Sequence, residues 1–259
     1  MATPRLFLDS PLHEGAHIEL GKEACHYILT VMRLKGGDQV RIFNGQDGEW
    51  LGELGDVSKK TAILAVTRQV REQRKTPDLE LLFAPVKKTR TDFIVEKATE
   101  LGVSIIRPVL THRTIADKVR VERLMATARE AAEQTERLDL PDVEDAVSLE
   151  KVLKDWPEGR VLIFCDEAGD NPGEDWGADA GRAGPLLEVL KTLDPNQPVS
   201  LLIGPEGGFD DKERTLLRSL DCVRPVSLGP RILRADTAAC AALGVIQAVI
   251  GDWSLTPRQ

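Results

Sequence analysis

From Leu79 to Ile250, short apolar runs of strand length alternate with segments of helical length, and this rhythm constrains the fold more than any other feature of the chain. Leu79-Glu80-Leu81-Leu82-Phe83-Ala84 reads as a strand. Thr91 to Leu101 reads as a helix with apolar positions at Phe93, Ile94, Ala98 and Leu101; Gly102 stops it, and residues 103–109 make the next strand. Strand, helix, strand at this spacing requires a parallel crossover. The pattern repeats through a helix over 121–137, a strand at Arg160-Val161-Leu162-Ile163-Phe164-Cys165, a helix near 185–193 and a strand at Pro198-Val199-Ser200-Leu201-Leu202-Ile203. Residues 223–228 make the last strand, which Pro225 restricts to an edge or a bulge. The final helix, about 236–250, is apolar on nearly every side, which predicts cover from its own sheet and from a second subunit.

Ahead of this region the pattern changes. From Ile18 to about Val70 the sequence is short, alternating and turn-rich, with Asn44-Gly45 after Gln39-Val40-Arg41-Ile42-Phe43 and a second hairpin from Glu49 to Val66. A small β-barrel with one helix near Lys22 to Met32 is the expected unit. Arg68 to Pro77 is charged and aperiodic, as a linker is, so the expected domains are 1–72 and 73–259.

The 259 residues and 42% hydrophobic content suit a globular protein, and no run of about 18 apolar residues occurs. The opening residues lack an apolar segment with a cleavage site, so a cytoplasmic location is expected. Four dispersed cysteines, Cys25, Cys165, Cys222 and Cys240, argue against a zinc knuckle and a disulfide framework and read as small buried hydrophobes. The net charge of −8 does not exclude nucleic acid, because residues 138–198 hold 15 Asp/Glu against 5 Lys/Arg while the rest is balanced. Glycines, prolines and acids between Gly169 and Gly184 read as a solvated surface insertion.

Two of the strands run into glycine-rich loops: Gly204-Pro205-Glu206-Gly207-Gly208-Phe209, and Leu228-Gly229-Pro230-Arg231-Ile232-Leu233-Arg234-Ala235-Asp236-Thr237. Both lead into helices, so the two are expected to meet at one edge of the sheet, where α/β proteins bind small molecules. Asp210 with Glu213 three residues later marks the start of the helix after the first loop. The first loop matches neither Gly-x-Gly-x-x-Gly nor Gly-x-x-x-x-Gly-Lys-Ser/Thr, and Pro205 removes an amide that a phosphate cradle would use.

These loops together resemble the signature of the RsmE family, SPOUT-superfamily methyltransferases acting on N3 of a uridine in 16S rRNA of the small ribosomal subunit. Lys97-Ala98-Thr99-Glu100-Leu101-Gly102-Val103, Glu133-Gln134-Thr135-Glu136-Arg137 and Val31-Met32-Arg33-Leu34-Lys35-Gly36-Gly37-Asp38 match further blocks of that family in order. The resemblance implies a PUA-like RNA-binding barrel followed by a SPOUT α/β domain whose segment of about 199–251 is threaded as a trefoil knot, against the usual rule. It also implies a homodimer that binds S-adenosyl-L-methionine largely through backbone groups. By the same resemblance the cofactor contacts are Leu202, Ile203, Gly204, Glu206, Gly207 and Gly208 from the first loop. Those from the second are Leu228, Gly229, Ile232, Leu233, Arg234 and Thr237.

The sulfonium methyl is reactive already, so the enzyme must align the nucleophile and make it nucleophilic. Neutral uracil N3 carries a proton, and a guanidinium beside the base favours the imide anion. Arg234 is the first candidate for that role and Arg231 the second, with Asp236 or Glu206 accepting the proton or orienting the arginine. The family usually has Glu where this chain has Asp236, and Asp is also a good helix cap, so capping and catalytic readings of Asp236 both stand. Arg33, Lys35, Lys59, Lys60, Lys87, Lys88, Arg90 and Arg137 are the expected RNA contacts, on 16S rRNA or the 30S subunit.

His13-Glu14-Gly15-Ala16-His17 imitates a zinc-protease motif, but Gly15 and the strand-like residues after it argue against the helix that metal binding needs; no metal is expected. Two other readings of the whole chain stand beside the enzyme: an RNA-binding protein that has lost transfer, and a SPOUT enzyme with another target such as a tRNA ribose.

Overall fold

The structure is a computed structural model that describes residues 3–58, 61–115, 119–166 and 183–255. Lys59, Lys60 and most of the acidic 169–184 stretch lie outside these. The chain divides into two compact units, one made of the residues up to Lys75 with Arg129–Leu140, the other of Thr76–Ala128 with the residues from Pro141 onward.

In the first unit the elements are β1 (Arg5–Phe7), β2 (His17–Glu19), α1 (Lys22–His26), a π-helical turn over Tyr27–Val31, β3 (Gln39–Phe43), β4 (Glu49–Val57) and β5 (Ala62–Arg71). They form one sheet in the order β1-β3-β4-β5-β2, antiparallel except for the β1–β3 pair. Alternation puts Val40, Ile42, Leu54, Leu64 and Val66 in a common core with Ile28 from the helical turn. His17 opens β2 and Gly15 stands at φ +80°, so the His-Glu-Gly-Ala-His stretch is a turn into a strand rather than a helix.

The expected linker begins too early, because β5 continues through Arg68–Arg71. Its charges have partners. Glu49, fully buried, lies 2.6 Å from Arg5 Nε, 3.3 Å from Arg41 Nη1 and 3.9 Å from Arg71 Nη1. Arg5 also donates to the carbonyls of Ala132, Glu133 and Arg137. A buried carboxylate is tolerated only when paired in this way.

The second unit holds β6 (Leu79–Phe83), α2 (Lys88–Glu100), β7 (Ile105–Leu110), the beginning of α3 (Val121–Gln134), β8 (Asp142–Val143), β9 (Val147–Ser148), α4 (Leu149–Lys154) and β10 (Val161–Cys165). It continues with β11 (Gly184–Pro185), α5 (Leu186–Leu190), β12 (Val199–Ile203), α6 (Asp211–Arg218), β13 (Val223–Ser227) and α7 (Ala235–Val249). The sheet order is β11-β13-β10-β12-β6-β7-β8, and every pairing is parallel. Helices cover both faces. Leu201 and Ile203 point to a core shared with α2, α5 and α7, whereas Leu202 between them points to one shared with Phe209 and Leu217.

Helix α2 starts at Lys88, three residues before the expected Thr91, because the Thr91 side chain bonds back to both the N–H and the carbonyl of Val86 and fixes the first turn. Strand β13 is not an edge strand: β10 pairs with it on one side and β11 on the other. Pro225 is accommodated because β11 meets only Val226 and Ser227, past the proline that lacks an N–H. Of the four cysteines only Cys25 is buried; Cys165, Cys222 and Cys240 are partly exposed, which corrects the expectation for those three.

Candidate active site

Strands β12 and β13 lie on either side of β10, so the two glycine loops leave from strands inside the sheet that are separated by one strand. Parallel pairing puts the C-terminal ends of all three strands on one side, which is the position where open α/β sheets bind ligands. At Gly204 a Cβ would stand 2.5 Å from a ring carbon of Phe209. Only glycine lets that ring fold under the loop. Phe209 is buried there, edge-on to Phe164 with centroids 5.0 Å apart, and Gly208 at φ +66° completes the turn.

The loop ends in a full capping box, as the sequence implied: Glu213 N–H donates to Asp210 Oδ1 at 2.8 Å and Asp210 N–H donates to Glu213 Oε2 at 3.1 Å. The Glu213 N–H, joined by the His112 side chain 3.2 Å away, holds the Asp210 carboxyl below the usual carboxylate range. His112 N–H also donates to Glu213 Oε1, and Arg113 Nη1 donates to the Gly207 carbonyl at 2.8 Å. The turn after β7 thereby clamps the first glycine loop.

The second loop turns at Gly229, φ +104°, and encloses a cavity of about 90 Å³ lined by Cys165, Asp166 and the stretch from Val226 to Leu233. Asp166, 3% exposed, is held by two arginines of α6: Arg214 Nε at 3.1 Å and Arg218 Nη2 at 2.8 Å. Its own N–H donates to the Val226 carbonyl. The carboxylate is thus turned toward α6 while the backbone at the end of β10 is fixed beside the cavity.

Arg90 joins the two loops. Its Nη1 lies 2.6 Å from Glu206 Oε1 and its Nε lies 3.8 Å from Asp236 Oδ2. The cap of α7 is Arg234, with φ −66° and ψ 152°, and Asp236 stands inside the first turn. Asp236 is therefore not the cap: its Oδ1 accepts from the N–H of the adjacent Thr237, and a carboxylate there complements the helix dipole. Arg231 and Arg234 are exposed, and neither enters an ion pair with another described residue. Ile232 between them is 81% exposed.

The other expected site residues are distributed as follows. Leu202 and Ile203 are buried strand residues whose side chains serve the two cores, which leaves only their backbone for any ligand contact. Leu228, Gly229, Ile232 and Leu233 line the small cavity, whereas Glu206 lines a separate cleft beside β6 and β7. Gly207 and Thr237 are exposed and Gly208 is half-buried. Arg33, Lys35, Lys87 and Lys88 are exposed, and Lys59 and Lys60 lie outside the described residues. Arg90 is committed to the two carboxylates rather than to solvent. The Arg137 side chain is 9% exposed and paired with Asp139 at 2.6 Å, so it is a structural group of the first unit instead of a phosphate contact. Sequence reasoning passed over Asp166 and Arg113, and it read His112 as a structural or RNA-edge histidine without identifying its partners Asp210 and Glu213. Asp166, His112 and Arg113 each follow the end of a strand, which was the available signal.

A family model described as an RNA methyltransferase domain matches residues 73–247, and one described as an RNA methyltransferase PUA domain matches residues 20–67. The chain is 32% identical to the ribosomal RNA small subunit methyltransferase E of Rickettsia conorii over 94% of each chain. It is 34% identical to the protein of the same name from Synechocystis, over 91% of this chain and 74% of that one. Among solved structures it resembles a ribosomal RNA small subunit methyltransferase E from Neisseria gonorrhoeae bound to S-adenosyl methionine, with TM-score 0.79, 25% identity and coverage of 97% and 100%. A methyltransferase of Legionella pneumophila in complex with the bound cofactor SAM gives TM-score 0.77 and 30% identity, covering 96% and 98%. With a methyltransferase model spanning most of its length and such relatives matching end to end, the chain belongs to the ribosomal RNA small subunit methyltransferase E family.

Proposed function

We propose that this protein transfers the methyl group of S-adenosylmethionine to N3 of one uridine in 16S rRNA of the small ribosomal subunit. In this reading residues 1–72 are the RNA-binding unit and 73–259 the methyltransferase, with 199–251 threaded as a trefoil knot, and a cytoplasmic homodimer is the working form. The relatives named for small-subunit rRNA methylation, two of whose structural counterparts hold the cofactor, support it. No described helix is long and apolar enough to cross a membrane. Sedimentation at micromolar protein tests the dimer, and a monomer would contradict that part.

The observation that carries the reading is the pairing of two glycine loops at strand ends that flank β10, bridged by Arg90 and leaving two arginines uncommitted. The residues present fit the cofactor: the space around Gly229 is open, and the cavity combines the apolar Val226, Leu228, Ile232 and Leu233 with the polar Asp166 and Ser227. A cavity of about 90 Å³ takes only part of such a molecule, so the remainder lies along the exposed Gly229–Leu233 loop.

When bound, S-adenosylmethionine supplies an electrophilic methyl on a sulfonium. Arg234 stabilises the imide anion of the base, with Arg231 as the second guanidinium. Glu206 and Asp236, held by Arg90, take or steer the N3 proton. Calorimetry with S-adenosylmethionine tests the reading first: saturable heat at one site per chain is expected, and no heat for cofactor or product would leave the non-catalytic RNA-binding reading instead.

A further inference from the structure

The cavity of the second glycine loop is not the largest concave feature of the methyltransferase unit. A cleft of about 500 Å³ opens at the C-terminal ends of β6 and β7, within the size range of small-ligand sites. Among the described residues its lining carries five cationic side chains, Lys87, Lys88, Arg113, Arg120 and Arg123, the last paired with Asp92, against one carboxylate, Glu206, which Arg90 already neutralises at 2.6 Å. Such a balance favours an anion. Pro85, Val86, Val119 and Pro205 add apolar wall beside Thr91, so the occupant also has an uncharged part.

One detail ties the cleft to the reaction. Glu206 belongs both to the first glycine loop and to the cleft wall; Oε1 is bound by Arg90, and Oε2 enters no hydrogen bond among the described residues.

We propose that this cleft receives the acceptor nucleotide, unstacked from its RNA strand. Its phosphate lies against Lys87 and Arg120, and its base is turned toward Glu206. The inference rests on the proposed function and adds a separate nucleotide pocket to it. Glu206 also supplies selectivity: a carboxylate oxygen accepts the N3–H of uracil, whereas N3 of cytosine is itself an acceptor and is repelled. No bond is made or broken in this recognition.

The test is a double variant of two exposed side chains, Lys87→Ala with Arg120→Ala. Binding to small ribosomal subunits that lack the methyl group is measured between about 50 and 200 mM KCl, beside calorimetry with S-adenosylmethionine. The variant should lose roughly tenfold or more in subunit affinity and about 2 in the slope of log affinity against log salt, with cofactor affinity within about twofold. Unchanged subunit affinity and slope would overturn the proposal. So would an equal loss of cofactor affinity, which would make the cleft part of the cofactor site. If the wild-type protein bound no cofactor, the proposed function itself would fail, and the two failures are separate readings of the same two titrations.

Discussion

Arg234 and Arg231 sit in the second glycine loop and are among the arginines of the methyltransferase unit that enter no ion pair with a described residue. Arg90, Arg107, Arg160, Arg214 and Arg218 each hold a carboxylate, and a guanidinium already paired stabilises a developing anion less than a free one. Replacing Arg234 with Ala should therefore lower turnover by roughly a hundredfold or more and leave the cofactor dissociation constant within a few-fold. Steady-state kinetics beside calorimetry separate the two effects, and equal losses in both would make Arg234 a cofactor ligand. Asp166 is the contrasting case. Removing a buried partner of two arginines leaves uncompensated charge, so Asp166→Asn should cost about 3–5 kcal/mol in denaturant unfolding and weaken cofactor binding through the end of β10. Unchanged stability would mean that water already serves those arginines. The four loop residues Glu206, Arg231, Arg234 and Asp236 were legible in sequence because glycine and proline frame them. Asp166 was not, because its partners are 48 and 52 residues away and a lone acid after a strand carries no local signal. Arg137 was misread for the same reason, since only the fold brings its carbonyl to Arg5 and its side chain to Asp139.

At the scale of elements, the first glycine loop is held by packing at one end and by a cap at the other. Gly204→Ala forces Phe209 out from under the loop; overpacking of this kind costs about 1–3 kcal/mol. The melting temperature should fall and cofactor affinity with it, whereas an unchanged melting temperature would mean that the ring moves freely. The Asp210 cap sets a pH dependence. Its carboxyl titrates below the unfolded value, so its contribution is present above about pH 4 and is lost as pH falls through the folded value. Acid unfolding should thus begin at higher pH in Asp210→Ala than in the wild type, measured by circular dichroism, and superimposable acid limbs would contradict the cap's role.

The helices and central strands were readable because each has a hydrophobic period of its own. Helix α2, strand β12 and helix α7 lie within three residues of the expected limits. The errors fall where tertiary partners outweigh local composition. Charged Arg68–Arg71 is strand because β4 and Glu49 satisfy it, and β13 is internal because β11 stops short of Pro225. The two-residue strands β8, β9 and β11 have no period to detect.

For the whole molecule, a parallel sheet with helices on both faces would be compatible with many activities. What narrows it is the combination of two glycine loops on β12 and β13, a bridge at Arg90, and family matches that cover both units. The βαβ rhythm and the loop motifs were enough to predict the class of fold and that the two glycine loops come together. They did not predict that the loops flank β10, nor that more than one cavity lies beside them, because strand order is a property of the assembled sheet.

The central claim is tested most directly by incubating the purified protein with methyl-labelled S-adenosylmethionine and small ribosomal subunits that lack the modification, then mapping the rRNA by nuclease digestion and mass spectrometry. The account predicts one labelled nucleotide, a uridine carrying the methyl on N3. Label on a ribose, on another base, or on no nucleotide while cofactor and subunits both bind would contradict it.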